Sequence, residues 1–354
     1  MYNFLFLSLI LFLSHVSQAE ELREFYKGAR ALGMGNAFVA LADDEQAIFY
    51  NPAGLAAVKK LSFHYLPVDI LLSSDLLNSY SSGLGAFQNI SGDTLNVIMG
   101  KNIFGEMQVA PSFVMPNIGV GVIVDSQIAI YSQNKTLPQI TIGYQTTNGI
   151  QVAYGLSVMR GFRKKADLRF GVAAKMLWRR GGYHLLPPMT LVNLSTGTIQ
   201  QVMGEYGRAV GLDFGSQFVY NIDSRLSIML GTVITDAGDT TFTGGQADMI
   251  KNNVSAGAAI QYSLRVAQLT FTYDLRHILQ KTDWRKRNHI GGEFSMPFLR
   301  IYLGINQIYA SYGASFDAWL FKLTALSYAE ELGTFVNQQP SRRWLIKASL
   351  KFDL

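Results

Sequence analysis

The last eleven residues, WLIKASLKFDL (Trp344–Leu354), constrain the fold more than any other stretch. Trp344, Ile346, Ala348, Leu350, Phe352 and Leu354 fall at every second position, with Leu345, Lys347, Ser349, Lys351 and Asp353 between them. Successive side chains of a strand point to opposite faces, so this segment has one apolar face and one mostly polar face. The pattern recurs. Gln268–Leu275 sets Leu269, Phe271, Tyr273 and Leu275 against Gln268, Thr270, Thr272 and Asp274. Leu168–Arg179 sets Phe170, Val172, Ala174, Met176 and Trp178 against Arg169, Lys175 and Arg179, and Val210–Tyr220 keeps Asp213 and Gln217 on its polar side. A soluble β-sandwich also alternates, but its polar faces meet water and its apolar faces meet each other. Apolar faces on long strands, backed by Lys, Arg, Asp and Glu, fit a barrel with lipid outside and a polar lumen.

Loop lengths extend this to a topology. Strands are expected near 61–68, 108–117, 118–131, 149–160, 167–180, 206–220, 224–236, 251–263, 265–277, 287–296, 299–307, 311–318, 320–330 and 341–354. Their connections alternate short and long; the long ones include 69–107, 132–148, 181–205, 237–250, 278–286 and 331–340. Short periplasmic turns, longer outer loops and an even strand number characterise outer-membrane barrels, and an even number leaves both termini in the periplasm. The expected fold is therefore all-β, a transmembrane antiparallel barrel of about fourteen strands. Residues 140–147 fit either a further strand or an extension above the membrane. No run after the N-terminal leader approaches the ~20 apolar residues of a membrane helix. Cys is absent from the 354 residues, which excludes a disulfide scaffold and thiolate metal sites.

The N-terminal residues carry a different pattern. Met1 to Ala19 has an apolar run, Phe4–Leu13, and a small-x-small end at Ser17-Gln18-Ala19. It reads as a secretory signal peptide cleaved after Ala19, although its first residues lack Lys and Arg. Then comes GARALGMGNAFVALADDEQAIFYNPAGLA, Gly28–Ala56. Its glycines do not form a phosphate loop, because Asn36 and Ala37 stand where Lys and Ser or Thr are needed. A dinucleotide fingerprint fails too, with Phe38 in place of the third glycine. Asp43 with Gln46 resembles a capping box for a short helix through Ala47 and Ile48, and Asn51-Pro52 reads as an N-cap and first-turn proline. Gly28, Gly33 and Gly35 permit tight turns around Ala31, Leu32, Ala37 and Phe38. The reading is a compact plug, giving a signal peptide over 1–19, a hatch over 20–60 within the lumen and a barrel over 61–354.

These residues resemble the N-terminal hatch of the FadL-type outer-membrane proteins, close to the branch grouped with PorV/PorQ and TraF-like proteins. Gly211-Leu212-Asp213-Phe214-Gly215, Gly292-Glu293 with Leu299-Arg300, and Tyr328-Ala329-Glu330-Glu331-Leu332-Gly333 add to the likeness. Family barrels usually end on an aromatic residue, whereas this chain ends Phe352-Asp353-Leu354. The resemblance implies a fourteen-strand barrel with an internal hatch. It also implies passive uptake of hydrophobic molecules such as long-chain fatty acids, gated by the hatch. A PorV-like role, binding secreted or surface proteins without passing a solute, is the alternative. A general polar porin is disfavoured because a hatch blocks a wide pore.

Gly28, Gly33, Gly35, Phe38, Asp43, Asn51 and Pro52 are thus the expected gate. Leu71, Leu72, Leu76, Leu77, Leu95, Ile98 and Met99, on an oddly apolar loop, are the expected ligand contacts, since exposed apolar patches mark interaction sites. Arg285, Lys286 and Arg287 beside Trp284, with Arg342 and Arg343, are expected to meet lipopolysaccharide phosphates. His64, His184, His277 and His289 have no metal or triad spacing, and His289 is expected to hydrogen-bond in the wall beside Glu293. No catalysis, cofactor, metal or nucleic acid is expected. The expected partners are a hydrophobic ligand, outer-membrane lipid and, on the alternative reading, a secreted or surface protein, around a monomeric barrel.

Overall fold

The computed structural model describes residues 22, 24–81, 99–133, 139–161, 165–186, 204–245 and 247–353. The expected signal peptide, and Leu95 and Ile98 of the expected ligand contacts, lie outside them.

A closed antiparallel barrel of fourteen strands surrounds the N-terminal residues. Strand β1 (Ser62–His64 and Val68–Ser73) and β2 (Asn102–Val109 and Ser112–Met115) are each interrupted, at Pro67 and Pro111, where no N–H exists for the ladder. Then follow β3 (Ile118–Gln133), β4 (Gln139–Gly161), β5 (Ala166–Leu186), β6 (Gly207–Asn221), β7 (Leu226–Thr235), β8 (Asn253–Ser263), β9 (Gln268–Leu275), β10 (Asn288–Ser295), β11 (Leu299–Asn306), β12 (Tyr309–Ala318), β13 (Phe321–Glu331) and β14 (Pro340–Asp353). Each pairs with its chain neighbour, and β14 closes on both pieces of β1, for example Ile346 opposite Ile70 and Phe352 opposite Phe63. Closure leaves no unpaired edge in the wall.

The alternation holds in space. Phe271, Tyr273, Phe170, Val172, Met176, Leu212, Phe214, Trp344 and Ile346 are exposed on the outside, while Thr270, Asp274, Lys175, Asp213, Gln217 and Lys347 are buried inside. Among the described residues no helix is long and apolar enough to cross a membrane. The wall crosses with strands instead.

Three loop expectations change. Residues 140–147 extend β4 and pair on both sides, so β3, β4 and β5 run for 16, 23 and 21 residues and project beyond their neighbours. The loops expected at 132–148 and 181–205 are correspondingly shorter. The expected 69–107 loop begins only after Ser73, with α3 (Ser74–Ser81), so Leu71 and Leu72 belong to the wall. Leu71 broke the sequence pattern because it faces inward without being polar. It packs in an apolar cluster with Leu32, Phe104 and Leu345.

Inside the ring, α1 (Ala29–Gly33), α2 (Ala47–Tyr50) and a 3-10 turn (Pro52–Ala57) are too short to persist alone, so packing must hold them. Ala31, Phe38, Leu41, Ile48 and Leu55 are buried against one another and against wall residues such as Ala153, Ala173 and Tyr302. Fully burying a side chain of the larger kind is worth about 1.5–3 kcal/mol. Asn51 caps the 3-10 turn as expected, its Oδ1 accepting from Ala53 N at 3.2 Å, with Pro52 in the first turn. Asp43 does not cap α2. Asp44 accepts from Gln46 N at 3.0 Å, and Asp43 instead pairs with Arg30.

Candidate functional site

The contact between the N-terminal segment and the inner wall is the main site the fold builds. Arg30, on α1, reaches both. Its Nε and Nη2 donate to the two oxygens of Glu293 on β10, at 2.6 and 3.0 Å. Its Nη1 donates to Asp43 at 2.6 Å and Asp44 at 2.8 Å. One guanidinium therefore ties the wall, α1 and the turn before α2 together, while its plane lies over Phe38. Charge-assisted bidentate pairs of this kind are stronger and more directional than neutral hydrogen bonds.

Other wall side chains hold segment backbone that has no helical partner. Asp274 Oδ2 accepts from Phe38 N at 2.6 Å and Val39 N at 2.8 Å. Gln217 donates to the carbonyls of Ala40 and Ala42, and Gln151 to that of Ile48. Ser311 donates to Leu32 O, and Arg276 Nη1 to Asn36 O at 2.9 Å. His289 Nδ1 lies 2.8 Å from Gly35 O, the wall hydrogen bond expected of it, although the partner is the segment. Polar parity on the strands thus has a second purpose beyond lining a lumen: it satisfies the backbone of what lies inside.

At the far end of the segment, Glu24 meets Arg276 and His277, each at 3.0 Å. Burial by itself would raise the Glu24 carboxyl, but Arg276 and His277 hold it well below the usual carboxylate range. Lys27 pairs with Glu330 at 2.7 Å, which also pairs with Arg343. Burial raises the Tyr50 phenol, which stays neutral and bridges Gly28 N and Asn36 Oδ1.

Glycines complete the seat. Gly155, Gly171 and Gly215 lie directly opposite one another across β4, β5 and β6. A Cβ on Gly155 or Gly171 would meet backbone of Pro52 or Ala53, and one on Gly215 would meet the Asn51 side chain. Gly231 and Gly257 form a second pair under Ala40, and Gly291 and Gly304 a third under Met34 and Gly35. Gly35 itself has φ +63° and is closed in by the carbonyls of Ile290 and Ile305, so no side chain fits there. The wall glycines were not singled out as a seat in the sequence, where only Gly211, Gly215, Gly292 and Gly333 of the barrel stood in the family-like motifs. Their inward parity, as at Gly171 and Gly215 beside Asp213 and Gln217, was the signal that could have found the seat.

Of the expected gate, Gly28, Gly33, Gly35, Phe38, Asn51 and Pro52 all lie in this buried contact, and Asp43 joins it through Arg30. Arg30, Glu293, Asp274, Gln151 and Gln217 were not singled out as segment anchors from sequence. Asn51 is the most connected gate residue, donating also to Val39 O at 2.9 Å and Ser216 O at 3.2 Å. Asn51→Ala removes the cap and both bonds, and lost caps cost about 0.5–2 kcal/mol. The expected result is a folded barrel whose segment is digested faster by added protease than wild type. Equal digestion rates would show that the cap does not hold the segment.

On the turn side of the segment a cavity of about 690 Å³ opens, lined by Asp43, Asp44 and Glu45 on one side and Arg300, Lys322 and Lys351 among others. Its walls mix these charged groups with apolar side chains such as Leu41, Val58, Val114, Val219 and Met229.

Of the expected ligand contacts among the described residues, Leu72 and Leu76 come together over Gly105. Leu71 is buried, Leu72 and Leu76 are half-buried, Leu77 is exposed, and Met99 is half-buried with its sulfur 3.2 Å from Ser132 Oγ. The expected lipopolysaccharide set also divides. Lys286 and Arg343 have no exposed surface: Lys286 donates to Gly333 O, and Arg343 stacks on Phe104 at 3.7 Å beside Glu330. Neither can meet an outside phosphate. Arg287 donates to the carbonyls of Ile278, Gln280 and Thr282. Arg285, paired with Asp283, and Arg342, over Tyr312, remain on the outside. Sequence parity separates Arg342 from Arg343, since adjacent strand residues cannot both face out.

No protein-family model and no curated protein matches the chain. Solved structures do match. The "TodX deltaS2S3 mutant monoaromatic hydrocarbon channel" is 12% identical, with 92% of this chain and 98% of that chain covered and a TM-score of 0.50. The toluene transporter TbuX of Ralstonia pickettii is 12% identical over 94% of this chain and 99% of its own, at 0.48. The toluene transporter TodX of Pseudomonas putida is 12% identical over 95% and 99%, at 0.46. At such identity the first of these carries the fold alone.

Proposed function

From a barrel with the fold of the FadL-type outer-membrane channels, we propose that this protein takes up small hydrophobic molecules across the outer membrane, with residues 24–58 acting as a movable hatch. The supporting observation is how the segment is held. It sits inside the barrel beside an open cavity, and hydrogen bonds, ion pairs and glycine seats attach it to the wall with no covalent link. Neutral hydrocarbons and the long-chain fatty acids implied by the sequence resemblance both fall in the proposed class. Both termini are proposed to be periplasmic, which places the 116–117, 222–225 and 296–298 turns inside and the α3 end outside.

Capture is proposed to begin at α3, where Leu77 is exposed and Leu76 lies with Leu72 over Gly105. The test measures transfer of radiolabelled toluene, or a fluorescent fatty acid, into liposomes bearing the protein. Replacing Leu76 and Leu77 by Ser removes two partly buried contacts worth about 1–3 kcal/mol together. The expected loss of apparent affinity is therefore roughly five- to a hundredfold. Wild-type liposomes that take up neither probe faster than empty ones would overturn the channel reading and favour a protein-binding role. For orientation, a cysteine label at Gly245 or Gln338 should react in intact cells and one at Asp223 should not; the reverse pattern would invert the barrel.

A further inference from the structure

The hairpin tips at the turn end differ sharply between the two halves of the barrel. Over β8–β13 each tip bares large apolar side chains: Leu264 and Val266, on either side of an exposed Arg265, between β8 and β9, Phe298 between β10 and β11, and Trp319 with Leu320 between β12 and β13. Val266, Phe298 and Trp319 are 73%, 64% and 79% exposed, more than most lipid-facing residues of the strands. The described turns of the other half, Pro116-Asn117 and Ile222-Asp223-Ser224-Arg225, bare only Ile222, at 38%, as a large apolar side chain.

The three shortest strands lie in the same half, although β8, β12 and β13, with eleven, ten and eleven residues, are no shorter than β7 with ten. β9, β10 and β11 have eight residues each, whereas β6 has fifteen. At ~3.4 Å per residue and a tilt of ~40°, an eight-residue strand stands only ~21 Å tall, below the ~25 Å apolar band, and a fifteen-residue strand stands ~39 Å. The short side needs apolar surface beyond its strands. The exposed tips are continuous with that side's outer face, and Leu279 and Trp284 extend the same half at its other rim.

The backbone at one tip adds an independent mark. The two-residue turns at 116–117, 307–308 and 319–320 each hold a residue at positive φ: Asn117 at 72°, Gln307 at 62° and Trp319 at 49°. Left-handed backbone in a tight hairpin favours Asn, Asp or Gly, and a bulky residue there is uncommon. A Trp, the residue most at home where apolar and wet surfaces meet, occupies it at the tip.

We propose that the β8–β13 half of the turn end is a lipid-contacting surface, with Val266, Phe298 and Trp319 embedded at the membrane interface while the turns of the other half stand in water. The barrel consequently sits unevenly in the bilayer. The occupant is lipid rather than a protein because the patch continues the lipid-facing outer face of its own strands, and at Phe298 both flanking strands, β10 and β11, are too short to span the apolar band.

Because the chain has no Cys, single nitroxide labels can test this. Val266→Cys, Phe298→Cys and Trp319→Cys are compared with Asn117→Cys and Asp223→Cys in full-length protein reconstituted in phosphatidylcholine vesicles. Collision with oxygen and with a water-soluble nickel complex is read by power saturation, after heat-modifiable gel migration confirms folding. The expected result is an oxygen-to-nickel ratio several-fold higher at 266, 298 and 319 than at 117 and 223. If Trp319→Cys does not fold, sites 266 and 298 decide alone. Equal ratios at all sites would place the tips in water, leave them to a protein partner and overturn the proposal.

Discussion

Replacing Arg30 by Ala is expected to unseat the N-terminal segment while the barrel stays closed. Arg30 is 5% exposed and pairs with three carboxylates at once: Glu293, Asp43 and Asp44. Without it Glu293 remains buried in the wall with its bidentate partner gone. Breaking a buried pair from one side costs about 3–5 kcal/mol, because an uncompensated charge is left behind. By the rule that 1.4 kcal/mol is tenfold, the ratio of seated to released segment falls roughly a hundred- to several-thousandfold. None of the strand ladders depends on Arg30, so heat-modifiable migration should match wild type. The readout is ion conductance in planar bilayers together with protease sensitivity of residues 24–58, both of which should rise steeply. Glu293→Gln keeps one acceptor and removes the buried charge, so it should perturb much less. Wild-type conductance and protease resistance in Arg30→Ala would mean the apolar packing of Phe38, Ile48 and Leu55 holds the segment without the charge cluster.

The second large effect is expected from one methyl group. Gly171→Ala places a Cβ against Ala53 N and the Pro52 carbonyl group. These are backbone atoms of the 3-10 turn, unable to swing aside as a flexible side chain would. Overpacking a tight interior costs about 1–3 kcal/mol, and a collision with backbone belongs at the upper end. Gly171 is also the middle of the Gly155–Gly171–Gly215 row, so neighbouring glycines cannot yield space without losing their own fit. A suitable control is Gly292→Ala, where the nearest atoms to the new Cβ are 3.8 Å away. Ala is no worse than Gly in a strand interior, so this control should be neutral or slightly stabilising. The expected pattern is increased conductance and protease access for Gly171→Ala, with Gly292→Ala at wild-type level. Equal behaviour of the two variants would show that the glycine rows are incidental to seating.

How much of this was readable from the chain can be judged residue by residue. Alternation determined the wall, because lipid outside and polar groups inside impose a period of two on every strand. It gave fourteen strands and the correct face for Asp213, Lys175, Asp274 and Trp344, since a strand's side-chain direction is a local property. The Asn51-Pro52 turn was also legible, because a cap and its proline are adjacent in sequence. Parity failed where the inside is apolar, at Leu71, and it gave no length for β4, whose extension depends on pairing with β3 and β5.

The partners across the lumen were decided only by tertiary structure. Arg30 and Glu293 are 263 residues apart, and Phe38 and Asp274 are 236 apart, so no local pattern couples them. The same holds for the glycine rows, which become a seat only when barrel closure and register bring Gly155, Gly171 and Gly215 side by side under Pro52. It holds also for Lys286 and Arg343, whose charge alone suggested an outer surface until the fold turned them inward. Sequence by itself determined the wall, because each strand answers separately to lipid and lumen. The seating of the segment required the closed ring, because its energy resides in contacts between residues that only closure makes neighbours.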